Sequence, residues 1–383
     1  MNRILTVLTA LAVLLVAVPA QATSATVTRA WQYKDASAAG LELDNLIGDV
    51  RVEQGNSAGF YVSVKVVAEA DTAGEADALA HAVEFRSRDS GGSSLFQVKL
   101  PESHFAKIYL PGAPASWWGG RMYVKYLGER RDLTGDPENG ARIRVDVVVR
   151  VPEGGRLKAR NKFGDTMSEG VAGDVTLDGT RGRVTSSNGT GKLTLDAGGG
   201  RVEIATHEGG VNADTGSGGI DISSCKCRIN ADTGSGSIRV VDSEGELIAD
   251  TGSGSVTVRN FAGSVRADTG SGSVKIEGLS DATALVADTG SGSVHVAGDL
   301  SRLEEMKIDT GSGSVSIEAF AWPSMAVTVD TGSGSVAVDV TDAEVTRHDG
   351  RERIVLIGGA VGHGLIDTGS GSVRLRTVAA PAE

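Results

Sequence analysis

The stretch Ala249-Asp-Thr-Gly-Ser-Gly-Ser-Val256 contains the pentapeptide Asp-Thr-Gly-Ser-Gly, which is the main indication of the fold because the chain contains it eight times. The first four copies begin 18 residues apart, the next three follow after 20, 21 and 21 residues, and the last follows after 37. A near-constant period indicates that one small structural unit is stacked on itself. The copies begin at Asp214, Asp232, Asp250, Asp268, Asp288, Asp309, Asp330 and Asp367.

The pentapeptide also resembles the active-site sequence of pepsin-like aspartic proteases, a hydrophobic residue followed by Asp-Thr-Gly-Ser. Such an enzyme needs two of these loops facing each other across one cleft. Eight copies on a regular period do not converge on one scissile bond. The sequence therefore predicts that the repeat is architectural.

Each repeat holds two short runs of alternating apolar and polar residues, such as Gly254-Ser-Val-Thr-Val and Gly263-Ser-Val-Arg-Ala. Alternation of this kind is typical of a strand with one buried face. Aligned at the repeat spacing, aliphatic residues form two inward columns with one residue from each coil. We predict an all-β fold, a single-stranded β-helix or β-solenoid with coils of 18–21 residues. The columns are Val175, Leu193, Val211, Ile229, Leu247 and Val265, and Val184, Val202, Ile220, Ile238, Val256 and Val274.

The polar part of the repeat is predicted to form the corner between strands. Asp followed two residues later by Gly suits an Asx turn, in which the carboxylate accepts backbone N–H groups, and Gly permits positive φ angles. Imperfect copies at Asp178 and Asp196 extend the pattern backwards. These two and the eight perfect copies make a predicted ladder of ten turn-forming aspartates.

Stacking places these carboxylates about 4.8 Å apart, where two unit charges repel by about 1 kcal/mol in water. The ladder therefore needs hydration, hydrogen-bond donors or cations. A calcium-stiffened rod stays open as an alternative, although the order of Asp and Gly differs from that of the calcium β-roll. No other cofactor or metal site is predicted. The six histidines lack metal-ligand spacing and are expected at the surface.

Residues 1–22 have the pattern of a secretory signal peptide. Arg3 precedes an apolar run from Ile4 to Val18, and Ala20-Gln-Ala22 provides a cleavage site. Removal of Arg3 changes the net charge from −12 to −13, which argues against nucleic acid as a partner. We expect an exported protein without a transmembrane span, located in the periplasm, at the cell surface or outside the cell.

Residues 23–155 do not follow the period and are predicted to form a strand-rich region with one short helix, roughly Ala73 to Phe85. The solenoid is expected over residues 156–383, with a hairpin interruption at 341–360 around Asp349-Gly350. An exposed solenoid end is an unpaired strand edge. The N-terminal region is therefore expected to cap it.

Residues 101–131 combine aromatic and basic side chains in an otherwise acidic chain. Aromatics beside arginine are common at binding surfaces, so this insertion is a candidate site for an envelope protein or glycan. The alternative is that its rings fold over the solenoid end and are buried. The candidate residues are Trp117, Trp118, Arg121, Tyr123, Lys125 and Tyr126.

Cys225 and Cys227 are the only cysteines. An even count in an exported chain favours a disulfide, but a Cys-x-Cys bridge closes a tight ring. A local disulfide, a redox-active pair and two plain thiols all stay open.

Three elements together resemble the bacterial "putative adhesin" β-strand-repeat family, a domain family of unknown function. They are Leu43-Asp-Asn-Leu-Ile-Gly-Asp-Val-Arg-Val, Val145-Asp-Val-Val-Val-Arg-Val-Pro-Glu-Gly-Gly-Arg-Leu, and the Asp-x-Gly-x-Gly-x-Val repeats that follow. The resemblance covers roughly residues 40–375 and implies a right-handed β-helix in the cell envelope or outside the cell. It supplies no catalytic residues, and the aromatic-basic insertion is not part of the pattern.

The favoured function is a non-enzymatic, adhesin-like binding or scaffold protein of the cell envelope. A β-helical polysaccharide lyase or hydrolase is the first alternative, and it requires clustered carboxylates with a basic side chain on a few coils. The repeated carboxylates are evenly spaced instead. The calcium-stiffened rod is the second alternative.

Overall fold

The computed structural model describes residues 23–33, 40–90, 93–101, 107–111, 123–138, 140–348 and 352–380. Within these ranges the chain is β-structured apart from one nine-residue helix, which confirms the predicted fold class. The proposed signal peptide lies outside the described residues. In the part of the chain that is described, no helix has the length and apolar character needed to cross a membrane.

The described residues form two compact units that divide between Gly182 and Arg183. In the first unit the strands and the helix are β1 (Thr23–Tyr33), β2 (Leu41–Ile47), β3 (Val50–Gln54), β4 (Phe60–Ala70), α1 (Ala73–His81), β5 (Glu84–Ser90), β6 (Ser93–Lys99), β7 (Lys107–Tyr109), β8 (Tyr123–Tyr126), β9 (Glu129–Thr134), β10 (Arg142–Val151), β11 (Gly155–Phe163), β12 (Thr166–Glu169) and β13 (Gly173–Arg181).

Coil-like layers begin earlier in the first unit than the repeat period indicates. Strand β2 pairs in parallel with β11, and β3 pairs in parallel with β12, so that Leu43 lies opposite Ala159 and Val50 opposite Thr166. Residues 41–54 and 155–169 are therefore two adjacent layers separated by a long insertion. The insertion hides their relation in the sequence, although both layers turn at Gly-Asp, at Gly48 and Gly164.

Much of the intervening segment, residues 55–154, pairs with these layers or with strands beside them. Strand β4 pairs antiparallel with β1 and β10, while β6 pairs in parallel with β2 and antiparallel with β5. A second, small sheet has the order β7-β9-β8.

Helix α1 begins after a threonine N-cap. The Thr72 Oγ1 atom accepts a hydrogen bond from the Glu75 N–H at 3.3 Å and donates to the Glu75 carboxylate at 2.9 Å. The helix ends at His81, earlier than predicted, because β5 already begins at Glu84.

The second unit contains the perfect repeats. Its strands are β14 (Val184–Ala197), β15 (Val202–Thr215), β16 (Ile220–Thr233), β17 (Ile238–Thr251), β18 (Val256–Thr269), β19 (Val274–Ser280), β20 (Ala284–Thr289), β21 (Val294–Asp299), β22 (Glu305–Thr310), β23 (Val315–Ala321), β24 (Met325–Thr331), β25 (Val336–Asp339), β26 (Ala343–His348), β27 (Glu352–Ile357), β28 (Gly362–Thr368) and β29 (Val373–Thr377).

Strands β14 to β18 are each 14 residues long and pair in parallel with the strand one repeat away, so like residues meet like. Leu193, Val211 and Ile229 are consecutive members of one inward column, and Val202, Ile220 and Ile238 belong to the other. All six side chains are buried. Burial of one such aliphatic side chain stabilises a fold by roughly 1.5–3 kcal/mol, so the columns are the core.

The last coils do not follow chain order. Strand β28 lies between β22 and β24, so that Asp367 pairs with Asp309 on one side and with Asp330 on the other. Strand β27 then pairs antiparallel with the outer edge of β24, and β26 pairs antiparallel with β27. The predicted hairpin therefore covers the edge of β24, and its tip at 349–351 lies outside the described residues.

Candidate functional site

The corner of each repeat is held by threonine. The Thr251 side chain is 1% exposed, and its Oγ1 atom donates to the Gly236 carbonyl of the previous coil at 2.8 Å and accepts from the Gly254 N–H at 3.1 Å. One hydroxyl thus closes its own turn and fastens it to the coil before. The prediction that the carboxylate performs this role as an Asx turn is therefore wrong in this detail. The same pair of bonds recurs at Thr215, Thr233, Thr269, Thr289 and Thr310.

The corner glycines are required by close approach between coils. A Cβ atom built on Gly254 would overlap the carbonyl group of Gly236 in the coil before, and the backbone of Gly254 is outside the left-handed region. The expected use of positive φ angles occurs at the other bend of the coil. There Asn188, Thr206 and Asn260 have φ of 54°, 55° and 50°.

The aspartates form a continuous ladder in the second unit, from Asp196 to Asp367 and Asp330. Their carboxylates are exposed or half-buried. Partial burial, reinforced by neighbouring carboxylates, raises the pKa of Asp268, Asp288 and Asp367 above the ordinary value. Asp178 lies in the first unit, opposite Arg160. Among the described residues, no group of three or more His, Cys, Asp or Glu side chains is arranged to hold a metal ion.

The outward face of the early coils carries ion pairs that connect neighbouring strands. Arg201 contacts Asp221 at 2.8 Å, Arg228 contacts Glu246 at 3.3 Å, and Arg259 contacts Glu277 at 3.1 Å. Small residues leave an open groove of about 470 Å³ across strands β14 to β17. We call it the coil groove, and its polar lining includes Thr185, Ser187, Glu203, Asp221, Ser223 and Arg239.

The aromatic-basic insertion is only partly within the described residues, and Trp117, Trp118 and Arg121 lie outside them. Tyr123 is 53% exposed, and the Arg130 guanidinium carbon lies 4.0 Å from the centre of its ring. Lys125 is exposed on the same strand. These two residues are available to a partner.

Tyr126 does not belong to this exposed surface. Its side chain is buried, and its hydroxyl group contacts the carbonyl oxygens of Val98 and Asp44 at 2.6 and 2.9 Å. Burial also raises the pKa of its phenol above the ordinary value. Tyr126 therefore anchors the small sheet, as the alternative interpretation of the insertion predicts for buried rings.

Cys225 and Cys227 are joined as a disulfide, with their Cα atoms 5.5 Å apart. Both are buried, and Cys227 occupies a position held by Gly209 and Gly245 in the neighbouring coils. His207 lies directly opposite Cys225 in the next strand. It is 3% exposed, so the expectation that all histidines lie at the surface is wrong for this one. His207 lies one 18-residue repeat before Cys225, and this spacing was the signal that could have placed the two residues opposite each other.

Comparisons with known proteins give two distantly similar solved structures and one family. A solved structure of a putative cell adhesion protein from Clostridium sporogenes ATCC 15579 has 8% sequence identity and a TM-score of 0.22, covering 92% of this chain and 100% of that one. A putative lipid binding protein from Parabacteroides distasonis ATCC 8503 has 16% identity and a TM-score of 0.31, covering 77% and 89%. Among curated protein sequences, none matches the chain. The model of the Toastrack family, DUF4097, matches residues 119–376, more than half of the sequence, and the chain therefore belongs to that family.

Proposed function

We propose that this Toastrack protein is an exported, non-enzymatic binding or scaffold protein of the cell envelope. The observation that carries the proposal is the distribution of charge on the outward face of the coils. Several of its charges are paired across neighbouring strands, as in Arg228–Glu246 and Arg259–Glu277. Catalysis by a pair of carboxylates needs groups that converge on one bond. A face of this kind offers an extended contact surface instead.

The coil groove is the proposed contact surface for an elongated polar ligand, such as a glycan chain or an extended peptide. It crosses four strands and combines hydroxyl groups with the charged side chains of Glu203, Asp221 and Arg239. Hydroxyl and charged groups of this kind fix the orientation of polar ligands. Tyr123 with Arg130 is the second proposed contact.

Export is tested by expressing the full chain in a bacterial host, fractionating the cells and sequencing the N-terminus of the product. We expect a chain that begins at Thr23 outside the cytoplasm. A full-length chain confined to the cytoplasm would refute this part of the proposal.

Binding is tested on a glycan array and by affinity capture from the envelope fraction of the source organism. We expect Arg239→Ala to weaken capture of a specific ligand at least tenfold if the coil groove is the site. The double variant Trp117→Ala/Trp118→Ala and the variant Tyr123→Ala test the insertion in the same way. Arg302→Ala, which removes an exposed ion pair with Asp281, is the matched control.

The enzymatic alternative is tested on the same samples. Release of unsaturated sugars or reducing ends from acidic polysaccharides would overturn the non-enzymatic assignment. Loss of that activity in Glu203→Gln and Asp221→Asn would then locate it in the coil groove.

A further inference from the structure

A third inward column, separate from the two aliphatic ones, has polar residues in the early coils of the second unit and apolar residues in the later coils. In the later coils its members are Phe261 and Leu279, which pack as ordinary core residues. In the earlier coils the corresponding residues are His207, Cys225 and Ser243. The Cys225 N–H donates to the Ser243 Oγ atom at 3.1 Å, so these polar residues are in contact. Buried polar residues in an otherwise apolar column require an explanation.

His207 has an unused ring nitrogen. Its Nε2 atom lies 3.0 Å from the Gly191 carbonyl oxygen, which can only accept, so Nε2 carries the hydrogen. The Nδ1 atom is then a bare lone pair, and it is buried without a hydrogen-bond partner. Burial also lowers the pKa of His207, which keeps the ring neutral near pH 7. The result is a buried, neutral imidazole whose Nδ1 atom can accept a proton.

The disulfide lies beside this base. His207 and Cys225 are opposite each other on neighbouring strands and both point into the core. Cys225 is 0% exposed and Cys227 is 6% exposed, so Cys227 is the more accessible of the two residues.

We propose that Cys225, Cys227 and His207 form a thiol–disulfide exchange site for small thiols and disulfides of the glutathione class. In the closing direction, a small disulfide RSSR first reacts with Cys227, forms a mixed disulfide and releases one RSH. The Cys225 sulfur then attacks the Cys227 sulfur, so the Cys225–Cys227 bond forms and the Cys227–SR bond breaks. The Cys225 proton passes to His207 Nδ1 and from there to the departing thiolate, which leaves as the second RSH. The protein loses two electrons and two protons, and RSSR gains them.

Charged residues lie near His207 on its own strand and on the two strands beside it. Glu208 follows it on β15, Lys226 lies opposite Glu208 on β16, and Lys192 lies on β14 opposite Gly210. Of these three groups, Glu208 affects the pKa of His207, and its negative charge raises that pKa. The lowering by burial is the larger influence, so the base stays unprotonated.

The test follows closure of the disulfide in the folded protein. The chain is reduced with dithiothreitol, freed of reductant and mixed with oxidised glutathione, and free thiols are counted over time with an aromatic disulfide reagent. We expect no free thiol before reduction, two after it, and closure to an intramolecular disulfide verified by mass spectrometry.

The role of the base is tested with His207→Gln, whose side-chain amide can still donate to the Gly191 carbonyl. A free cysteine with a pKa of about 8.5 is only about 3% thiolate at pH 7. Loss of the base should therefore slow closure by about 10- to 30-fold at pH 7. Attack of Cys227 on oxidised glutathione depends on the Cys227 thiolate in both proteins, so the rates compared are those of the second step, the decay of the mixed disulfide followed by acid quenching and mass spectrometry. For this step the variant's rate should rise about tenfold per pH unit up to about pH 8.5, while the wild-type rate stays nearly flat over that range. His295→Gln, on the outward face of β21, is the matched control and should behave as the wild type.

Two results would overturn the proposal. One is that the folded, reduced protein does not close its disulfide with oxidised glutathione. The other is that His207→Gln closes with the wild-type rate and pH profile. Should His207→Gln fail to fold by circular dichroism, the wild-type pH profile of the second step decides alone, because a tenfold rise per pH unit in the decay of the mixed disulfide would show that no internal base acts on Cys225.

Discussion

Replacing one buried corner threonine by valine tests how the coils are fastened together. Thr251→Val keeps the branched shape of the side chain and removes only the hydroxyl group. That hydroxyl donates to the Gly236 carbonyl at 2.8 Å and accepts from the Gly254 N–H at 3.1 Å. The variant leaves both backbone groups without this partner.

The expected loss follows from those two bonds. A buried polar group that loses its partner costs about 1–3 kcal/mol, so two such groups cost about 2–6 kcal/mol. Gly236 and Gly254 are half-buried rather than fully buried, and water can partly replace the hydroxyl. We therefore expect the free energy of unfolding to fall by the lower part of that range, about 2–3 kcal/mol.

The measurement is urea-induced unfolding of the full chain, followed by far-ultraviolet circular dichroism and converted to a free energy with the slope of the transition. Asp250→Ala is the informative comparison, because it removes the neighbouring carboxylate of the same corner. Its side chain is exposed, so we expect a change within about 0.5 kcal/mol. Ser253→Ala, also exposed, controls for substitution in the pentapeptide itself.

A reversed order would refute the reasoning. If Asp250→Ala lost more than 1 kcal/mol while Thr251→Val remained near the wild type, the carboxylate would hold the corner after all. The hydrogen bonds assigned to the threonine would then contribute nothing measurable.

Three further predictions address the ladder, the glycines and the insertion. The raised pKa of Asp288 means that its charged form lowers the free energy of unfolding. This loss of stability is fully present above the raised pKa, and it disappears as the pH falls below the ordinary value of 3.8. Asp288→Asn should therefore melt at a higher temperature than the wild type at pH 7, with a difference that shrinks at acidic pH and in high salt; a difference independent of pH would contradict it. Gly254→Ala should prevent the coils from closing, because its Cβ atom would overlap a backbone carbonyl, whereas Gly74→Ala, in open space on α1, should fold and gain up to about 1 kcal/mol in urea unfolding. Tyr126→Phe should lose about 1–3 kcal/mol by the same assay because it removes a buried hydroxyl group that donates to the Val98 and Asp44 carbonyl oxygens. Tyr123→Phe should stay within about 0.5 kcal/mol; equal losses for both would contradict the different burial of the two rings.

The coil core was predictable because its signal is local and repeated. Alternation assigned Val256 and Val265 to the inside, and the constant spacing aligned each of them with its counterparts in neighbouring coils. The role of Thr251 was missed although threonine is as regular in the repeat as aspartate. Sequence periodicity shows which positions are equivalent, but it does not show which of two adjacent polar side chains points inwards.

Other features were hidden because they depend on contacts between distant parts of the chain. The relation between β2 and β11 is interrupted by about a hundred residues, so no period connects them. The pairing of Asp367 with Asp309 skips one intervening copy, and the 37-residue interval fits either order of the strands. Tyr126 was assigned to a binding surface by composition, which does not distinguish an aromatic ring that anchors a small sheet from one that contacts a ligand.

The position of β28 limits how this protein can change in length. We expect that whole units of 18 residues can be duplicated or deleted between β15 and β17, since each of these strands pairs on both sides with a 14-residue strand one repeat away. Beyond Glu305 the same duplication or deletion would disrupt the strand order, because β28 fills a slot between β22 and β24, which precede it in the chain. During synthesis this slot stays open until nearly the whole polypeptide has emerged. A premature stop before Gly362 would therefore expose two unpaired edges at once, and such truncated chains should aggregate where shorter internal deletions do not.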